Sequence, residues 1–189
     1  MKQYNLIYFY ENNVILRFNK NIYYLSLNKL IINNGIILNK VKFLKEYNNF
    51  TKKNKLKKFI NNRIIVLIQS NLSINDINKI YDVFEEIGIK IIKIIKDITL
   101  LNVSKKRAYL IGNIKLRVYL VNNYNKKEII NFSLEEISYN EISYILKNHV
   151  KENLFILSSN TYLIQKLLHN KTYYLINNYI KFIFDEVRL

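Results

Sequence analysis

The chain has 189 residues, half of them hydrophobic, with two histidines (His149 and His169) and no cysteine. This length and hydrophobic content allow a substantial core and exclude a disordered protein. The lack of cysteine excludes disulfides, cysteine-ligated zinc and a thiol nucleophile, and two histidines leave little for a metal site. No apolar run reaches the ~18–20 residues that a membrane span needs, and no signal peptide opens the chain. We therefore expect a cytoplasmic protein.

The net charge of +16 at pH 7 ordinarily indicates a nucleic-acid partner. The composition offers another explanation, because Ile, Asn, Lys, Tyr and Phe have AT-rich codons while the chain holds three glycines and no proline. Such a bias is typical of a reduced, AT-rich genome, which inflates lysine by itself. Apart from KKNKLKK at 52–58 and KKR at 105–107, the basic residues are dispersed. This dispersal disfavours an RNA-binding or ribosomal protein, which stays an alternative.

Three strands are predicted at the start of the chain, at 4–10, 14–18 and 22–27. They are rich in aromatic and β-branched residues, and the Asn-rich segments between them are typical of turns. A lysine-rich stretch at 39–62 follows, in which apolar residues recur at helical spacing. The residues at that spacing are Val41, Leu44, Tyr47 and Phe50.

A strand, a capped helix and a second strand are predicted next. The continuous apolar run at 63–68 is typical of a strand covered on both faces. Ser73 and Asp76 form an S-x-x-D helix start, and Gly88 supplies the left-handed residue that commonly ends a helix. Because the β-branched run at 89–95 follows at once, the helix crosses between two parallel strands. The residues on its apolar side are Ile74, Ile77, Ile80, Tyr81, Phe84 and Ile87.

The pattern restarts after a connector of helical spacing. The connector spans 97–104. Strands are predicted at 107–112, 116–121, 128–132 and 153–157. Helical segments are predicted within 134–148, which Ser133 and Glu136 open, and at 161–168 and 172–187. A meander of three strands followed by alternating helices and strands, present twice, indicates an α/β protein with a small duplicated actin-like (ribonuclease H-like) fold. We expect two βββαβα lobes with mixed sheets, residues 1–104 and 105–189, the second one shortened.

Residues 64–101 resemble the strand, helix, glycine, strand and connector of actin-fold ATPases such as Hsp70 chaperones and MreB. GIKIIKIIKDITLL at 88–101 is similar to the Hsp70 segment Gly-Leu-x-Val-x-Arg-Ile-Ile-Asn-Glu-Pro-Thr. YLIGNIKLRVYLV at 109–121 stands where those proteins carry their second phosphate loop. Those ATPase domains are much longer than this chain.

Nearly the whole chain resembles the compact TsaB family of tRNA threonylcarbamoyladenosine (t6A) biosynthesis. NLSINDINKIYDVFEEIG at 71–88 corresponds without a gap to the family's Ser-Phe-Thr-Gly loop and following helix. IGNIKLRVYLVNNY at 111–124 resembles its Ile-Asp-Ala-Arg-x-x-Glu-Val-Tyr hairpin, with Val118 and Tyr119 matching. ENLFILSSN at 152–160 resembles the strand and glycine-rich turn that follow.

The phosphate-binding signatures of both groups are altered. IYFYENN at 7–13 and QSNLSIN at 69–75 replace the family loops, and the turns FYENN and IGNIK hold one glycine and no aspartate. Actin-fold ATPases hold phosphates with backbone amides of glycine turns and Mg²⁺ through aspartates. Glu11 and Gly112 are the candidates for a cofactor-binding remnant, although a solvated turn residue explains Glu11 better and a hairpin glycine explains Gly112 equally well. We expect no catalytic residues, no metal and no resident cofactor.

The resemblance implies a non-catalytic subunit that pairs with the catalytic TsaD subunit, itself an actin-fold protein, and meets tRNA only indirectly. In the TsaB family this pairing uses the two helices of the N-terminal lobe, here 39–50 and 74–87. The candidate anchors are Phe43, Tyr47, Phe50, Tyr81 and Val83, since aromatic residues commonly dominate interface energetics. Core positions explain Tyr47 and Tyr81 equally well. The alternative is a shrunken Hsp70- or MreB-like protein with residual nucleotide binding.

Overall fold

The computed structural model describes residues 5–18, 21–56, 63–69, 72–100 and 179–187, five strands between positions 108 and 175, and residues 140, 141, 144 and 148. The chain divides into two compact units, Met1–Thr99 and Leu100–Leu189. The boundary predicted after residue 104 lies outside the described residues.

Unit 1 is built on a five-stranded mixed sheet. Its strands are β1 (Asn5–Tyr10), β2 (Asn13–Phe18), β3 (Asn21–Ser26), β6 (Ile64–Ile68) and β7 (Ile91–Lys96). They lie in the order β3-β2-β1-β6-β7. The first three are antiparallel, whereas β1, β6 and β7 are parallel. The predicted meander and parallel crossover are confirmed.

A small hairpin and three helices complete unit 1. The hairpin strands are β4 (Ile32–Asn33) and β5 (Ile36–Ile37), and the helices are α1 (Lys40–Lys53), α2 (Ile74–Glu86) and α3 (Asp97–Leu100). α1 begins where the Asn39 side chain accepts a hydrogen bond from the Lys42 amide at 3.0 Å. The helix predicted within 39–62 is therefore present and ends at Lys53.

Both ends of α2 form as predicted. The Ser73 hydroxyl accepts from the Asp76 amide at 3.2 Å, and the Asp76 carboxylate accepts from the Ser73 amide at 3.2 Å. This reciprocal capping box satisfies two amides that a helix start leaves without partners. At the other end Gly88 has a φ of 71°, and the Ile89 amide donates to the Phe84 carbonyl at 2.8 Å. Gly88 therefore ends the helix and turns the chain into β7.

The main core lies between one face of the sheet and the helices α1 and α2. The Phe9 ring lies 5.9 Å from the ring of Phe43 in α1 and 6.1 Å from that of Phe84 in α2. Three residues expected on the apolar sides of these helices are exposed instead, Val41 by 78%, Ile74 by 76% and Tyr81 by 43%. Val41 and Ile74 are in the first turns of their helices. The buried members of this core include Ile7, Phe9, Val14, Leu16, Phe43, Leu44, Tyr47, Ile64, Val66, Ile68, Ile80, Val83 and Phe84.

The opposite face of the sheet is also apolar and buried. Successive side chains of a strand point to opposite faces, so the neighbours of the core residues in β1 and β6 lie here. These residues are Leu6, Tyr8, Ile65 and Leu67, each almost completely buried. The uninterrupted burial of β1 and β6 explains why their sequences are continuous apolar runs rather than alternating ones.

Unit 2 repeats this sheet. Its strands are β8 (Ala108–Gly112), β9 (Arg117–Asn122), β10 (Glu128–Ser133), β11 (Leu154–Ser158) and β12 (Tyr173–Leu175), and its described helix is α4 (Tyr179–Glu186). The strand order β10-β9-β8-β11-β12 matches that of unit 1, with the same parallel and antiparallel pairings. The duplicated actin-like architecture is thus present in the strands of both halves.

The helix predicted over 172–187 is partly wrong. Tyr173–Leu175 forms a strand that pairs in parallel with β11, and the helix begins only at Tyr179. β-branched and aromatic residues at this point fit a strand as well as a helix, and pairing with β11 decides the outcome. Residues 140, 141, 144 and 148 are helical, as expected within 134–148, whereas the predicted segment 161–168 lies outside the described residues. Among the helices of the described residues, none is both long enough and apolar enough to cross a bilayer.

Candidate functional site

Three polar residues follow the parallel strands of unit 1 at one edge of the sheet. Glu11 follows β1, Gln69 follows β6 and Asp97 follows β7. Phe9, Ile68 and Lys96 are aligned across these strands, so the carboxyl ends lie at the same level. Ligands of open α/β sheets bind at such an edge, which makes it the first place to test for a site. We call Glu11, Gln69 and Asp97 the carboxyl-edge residues.

Asp97 is bonded within the protein. The Tyr8 hydroxyl donates to the Asp97 Oδ2 at 2.7 Å, and both side chains are buried, Asp97 being 6% exposed. Burying a carboxylate is costly unless hydrogen bonds compensate the lost water. The bond therefore stabilises Asp97 in place and joins the end of β7 to β1. It also occupies one oxygen that a metal ion would otherwise use.

Glu11 occupies the two-residue turn between β1 and β2. Its φ is 57°, a region that residues other than glycine rarely adopt. Its carbonyl accepts a hydrogen bond from the Gly35 amide at 2.7 Å. Burial raises the pKa of the Glu11 carboxyl, and a hydrogen bond with Tyr10 opposes that shift. Glu11 is thus half-buried, and not the fully solvated turn residue that we expected.

Gly35 supports this edge, and the sequence analysis missed it. Asn34 and Gly35 have φ values of 50° and 75°, as in a type I′ turn, and they join β4 to β5. A Cβ at position 35 would lie 3.1 Å from the Phe9 carbonyl and 3.4 Å from the Gln69 Oε1. Only glycine fits there without displacing β1 or Gln69. The Asn-Gly dipeptide before an isoleucine pair was the available signal.

The carboxyl-edge residues do not form a phosphate cradle or a metal site. The β1–β2 turn has Glu11 and Asn12 in place of glycine, and Asp97 is bonded to Tyr8. Within the described residues no group of three or more His, Cys, Asp or Glu side chains could hold a metal ion. Gly112 is the last residue of β8, opposite Val118 and Ser158, and the turn that follows it lies outside the described residues. Among the described residues this edge therefore lacks the glycine phosphate turn with which actin-fold ATPases hold a nucleotide.

The candidate interface anchors separate into core and surface residues. Phe43, Tyr47 and Val83 are completely buried, and Phe50 is half-buried against the core. Of the three completely buried residues, helical spacing had placed only Tyr47 on an apolar side, and all three have no exposed surface to offer a partner. Burial also raises the pKa of the Tyr47 hydroxyl above its usual range. Tyr81 is 43% exposed and is the most accessible of the anchor candidates.

α1 and α2 contact each other. The Tyr47 and Phe84 rings meet edge to face at 5.8 Å, and the Lys40 Nζ lies 2.7 Å from the Glu86 Oε2. The ion pair joins the start of α1 to the end of α2. We call the exposed residues of the two helices the helix-pair surface. Its members include Val41, Lys42, Lys45, Asn49 and Lys52 of α1 and Ile74, Asn78, Tyr81, Asp82 and Glu85 of α2.

An open cavity of about 400 Å³ borders this surface. It is lined by Tyr81, Glu85, Gly88, Ile89, Lys90 and Ile91. Glu86 contacts α1, whereas Tyr81 and Glu85 line the cavity. A Cβ at Gly88 would meet nothing within 4 Å, which shows how open the cavity is there.

Comparison with solved structures identifies the fold. The ethanolamine utilization protein EutJ from Carboxydothermus hydrogenoformans superposes with a TM-score of 0.61 at 7% identity, over 91% of this chain and 84% of EutJ. MreB5 of Spiroplasma citri bound to AMPPNP superposes with a TM-score of 0.52 at 10% identity, over 80% of this chain and 58% of MreB5. The chain thus spans little more than half of that protein. The inorganic polyphosphate/ATP-glucomannokinase from Arthrobacter sp. strain KM superposes with a TM-score of 0.53 at 6% identity, over 92% of each chain.

No protein-family model and no curated protein match the sequence of this chain. At these identities the structural similarity establishes the architecture and leaves the activity open. The strand order of both sheets and the structural neighbours indicate the same fold. The protein has the actin-like ATPase fold.

Proposed function

We propose that this protein is a non-catalytic subunit that pairs, through the helix-pair surface, with the catalytic TsaD-like subunit of tRNA t6A modification. The observation that carries the proposal is the exposure of Tyr81 on α2, together with the exposed apolar side chains Ile74 on α2 and Val41 on α1. Exposed aromatic side chains are frequent anchors of protein interfaces. The resemblance of the chain to the TsaB family supplies the identity of the partner.

The carboxyl edge supports a role without catalysis. An ATPase of this fold class needs glycine turns for phosphates and free carboxylates for Mg²⁺. Here Asp97 is bonded to Tyr8, and Glu11 stands in the first turn with a raised pKa. The described part of this edge thus supplies no glycine phosphate turn, which supports a role carried by the surface of the protein.

The test is co-purification of the chain with the TsaD of the same organism. We expect a 1:1 complex that Tyr81→Asp and Ile74→Asp each weaken by about tenfold or more, because a buried interface cannot solvate the new carboxylate. Tyr24→Asp is the matched control, since Tyr24 is also an exposed tyrosine, at 53%, but lies on β3 at the other end of the sheet. If the unmodified chain does not bind TsaD, the proposal is wrong.

A second candidate is a shrunken MreB-like protein with residual nucleotide binding. One observation favours it: the Gln69 Oε1 at the carboxyl edge is buried and has no hydrogen-bond partner within the described part of the chain. A ligand donor would satisfy this oxygen. Mg-ATP at 100 times its dissociation constant would add about 2.7 kcal/mol to the free energy of unfolding. Thermal unfolding with and without Mg-ATP separates the candidates, since the first predicts no shift.

A further inference from the structure

The two helices of the helix-pair surface carry opposite charge. α1 contains five lysines and one glutamate, whereas α2 contains four carboxylates and one lysine. The whole chain has 14 acidic residues among 189 and a net charge of +16. An acidic helix in so basic a chain is unexpected from composition alone. Asp76 belongs to the capping box and Glu86 pairs with Lys40, so Asp82 and Glu85 are the carboxylates that α2 offers to a partner.

The charged side chains lie on the outer faces of the helices. Lys42, Lys45 and Lys52 of α1 are exposed, and so are Asp82 and Glu85 of α2. One ion pair, Lys40 with Glu86, joins the two helices. This pair brings the basic helix into contact with the acidic one. A molecule that covers both helices therefore meets lysines on α1 and carboxylates on α2.

We propose that the helix-pair surface recognises a partner protein by a reciprocal charge pattern, with carboxylates of the partner opposite α1 and its lysine or arginine side chains opposite α2. The inference rests on the proposed function and defines the chemistry of the partner's docking face. Val41, Ile74 and Tyr81 supply the apolar contacts, and the charges fix the orientation. If the partner docked after a rotation of 180°, like charges would face each other on both helices, and the partner would bind more weakly.

The charge pattern favours a protein over RNA as the occupant. Phosphates attracted to Lys42 and Lys45 would continue along the RNA strand and approach Asp82 and Glu85 on the neighbouring helix. A nucleic acid presents negative charge along its whole length, so it cannot match both strips. A protein face can present both signs at this spacing.

The decisive variant exchanges the charges without changing their sum. The quadruple substitution Lys42→Glu, Lys45→Glu, Asp82→Lys and Glu85→Lys inverts the pattern and keeps the net charge at +16. All four side chains are exposed, so circular dichroism should report an unchanged fold. Binding to TsaD is measured by titration calorimetry, with Lys29→Glu plus Lys93→Glu as a control that alters two exposed lysines elsewhere on unit 1.

We expect the quadruple variant to bind TsaD at least about tenfold more weakly than the unmodified chain, and the control to bind within about threefold of it. Equal binding by the quadruple variant overturns the charge pattern and leaves the proposed function intact. No binding by the unmodified chain overturns both. Two further results also overturn the inference: tight RNA binding that Lys42→Glu plus Lys45→Glu abolishes, and a self-association that excludes TsaD.

Discussion

At the scale of single residues, Gly35 and Gly88 have nearly the same backbone conformation in different surroundings, with φ values of 75° and 71°. A Cβ at Gly35 would lie 3.1 Å from the Phe9 carbonyl, whereas one at Gly88 would meet nothing within 4 Å. Gly88→Ala should therefore cost only the left-handed strain, about 1 kcal/mol in the free energy of unfolding, and Gly35→Ala should cost about 1 kcal/mol more. Urea unfolding of the two variants measures the difference. Equal losses would mean that the hairpin moves away from β1 freely.

Two buried tyrosines make a second matched pair. Tyr8 donates to Asp97, so Tyr8→Phe removes a hydrogen bond from a buried carboxylate and should lower the free energy of unfolding by about 1–3 kcal/mol. The Tyr47 hydroxyl has no hydrogen-bond partner among the described residues. Tyr47→Phe should therefore leave stability unchanged or raise it slightly, because a desolvated hydroxyl is lost. Denaturant unfolding at pH 7 tests both, and a larger loss for Tyr47→Phe would contradict the account.

At the scale of elements, the start of α2 depends on Ser73. Its hydroxyl lies 2.6 Å from the Asp76 Oδ2 and accepts from the Asp76 amide. Ser73→Ala should lower the free energy of unfolding by about 1 kcal/mol. Ser26→Ala is the control, because its hydroxyl makes only an exposed bond to Asn13 and should cost less than about 0.5 kcal/mol. Thermal unfolding compares the two variants. Similar decreases in the free energy of unfolding would show that the capping box does not stabilise the protein more than an exposed hydrogen bond does.

Local patterns predicted the elements of unit 1 well and their burial less well. The S-x-x-D start and Gly88 predicted both ends of α2, because caps are determined by residues within one turn. Helical spacing also placed Ile74 and Tyr81 on the apolar side, yet both are exposed. Spacing indicates which residues share a side of the helix, but the position and width of the sheet beneath decide how much of that side is covered. The exposed part of α2 is the part that the proposed function uses.

At the scale of the whole molecule, the net charge of +16 should destabilise the fold by self-repulsion at low salt. Raising NaCl from about 10 to about 150 mM shortens the Debye length from ~30 Å to ~8 Å. We expect the melting temperature to rise by a few degrees over this range. Scanning calorimetry without a partner tests this. A falling melting temperature would indicate that attractive pairs such as Lys40–Glu86 outweigh the repulsion.

The architecture was predictable because the order of elements restricts the topology strongly. A meander followed by a right-handed crossover leaves few strand orders, and both sheets adopt the same one. The carboxyl edge was not predictable. The bond between Tyr8 and Asp97 joins residues 89 positions apart, and no local pattern marks it. The same holds for Glu11, whose carbonyl accepts from the Gly35 amide of a later hairpin.

The link between Tyr8 and Asp97 also constrains how this protein can evolve. A carboxylate introduced at position 8 would face the buried Asp97, and two carboxylates that close to each other resist ionising together. An apolar residue there would remove the donor that the Asp97 Oδ2 has now. Any replacement of Tyr8 must therefore bring its own hydrogen-bond donor, which few side chains of that size can do.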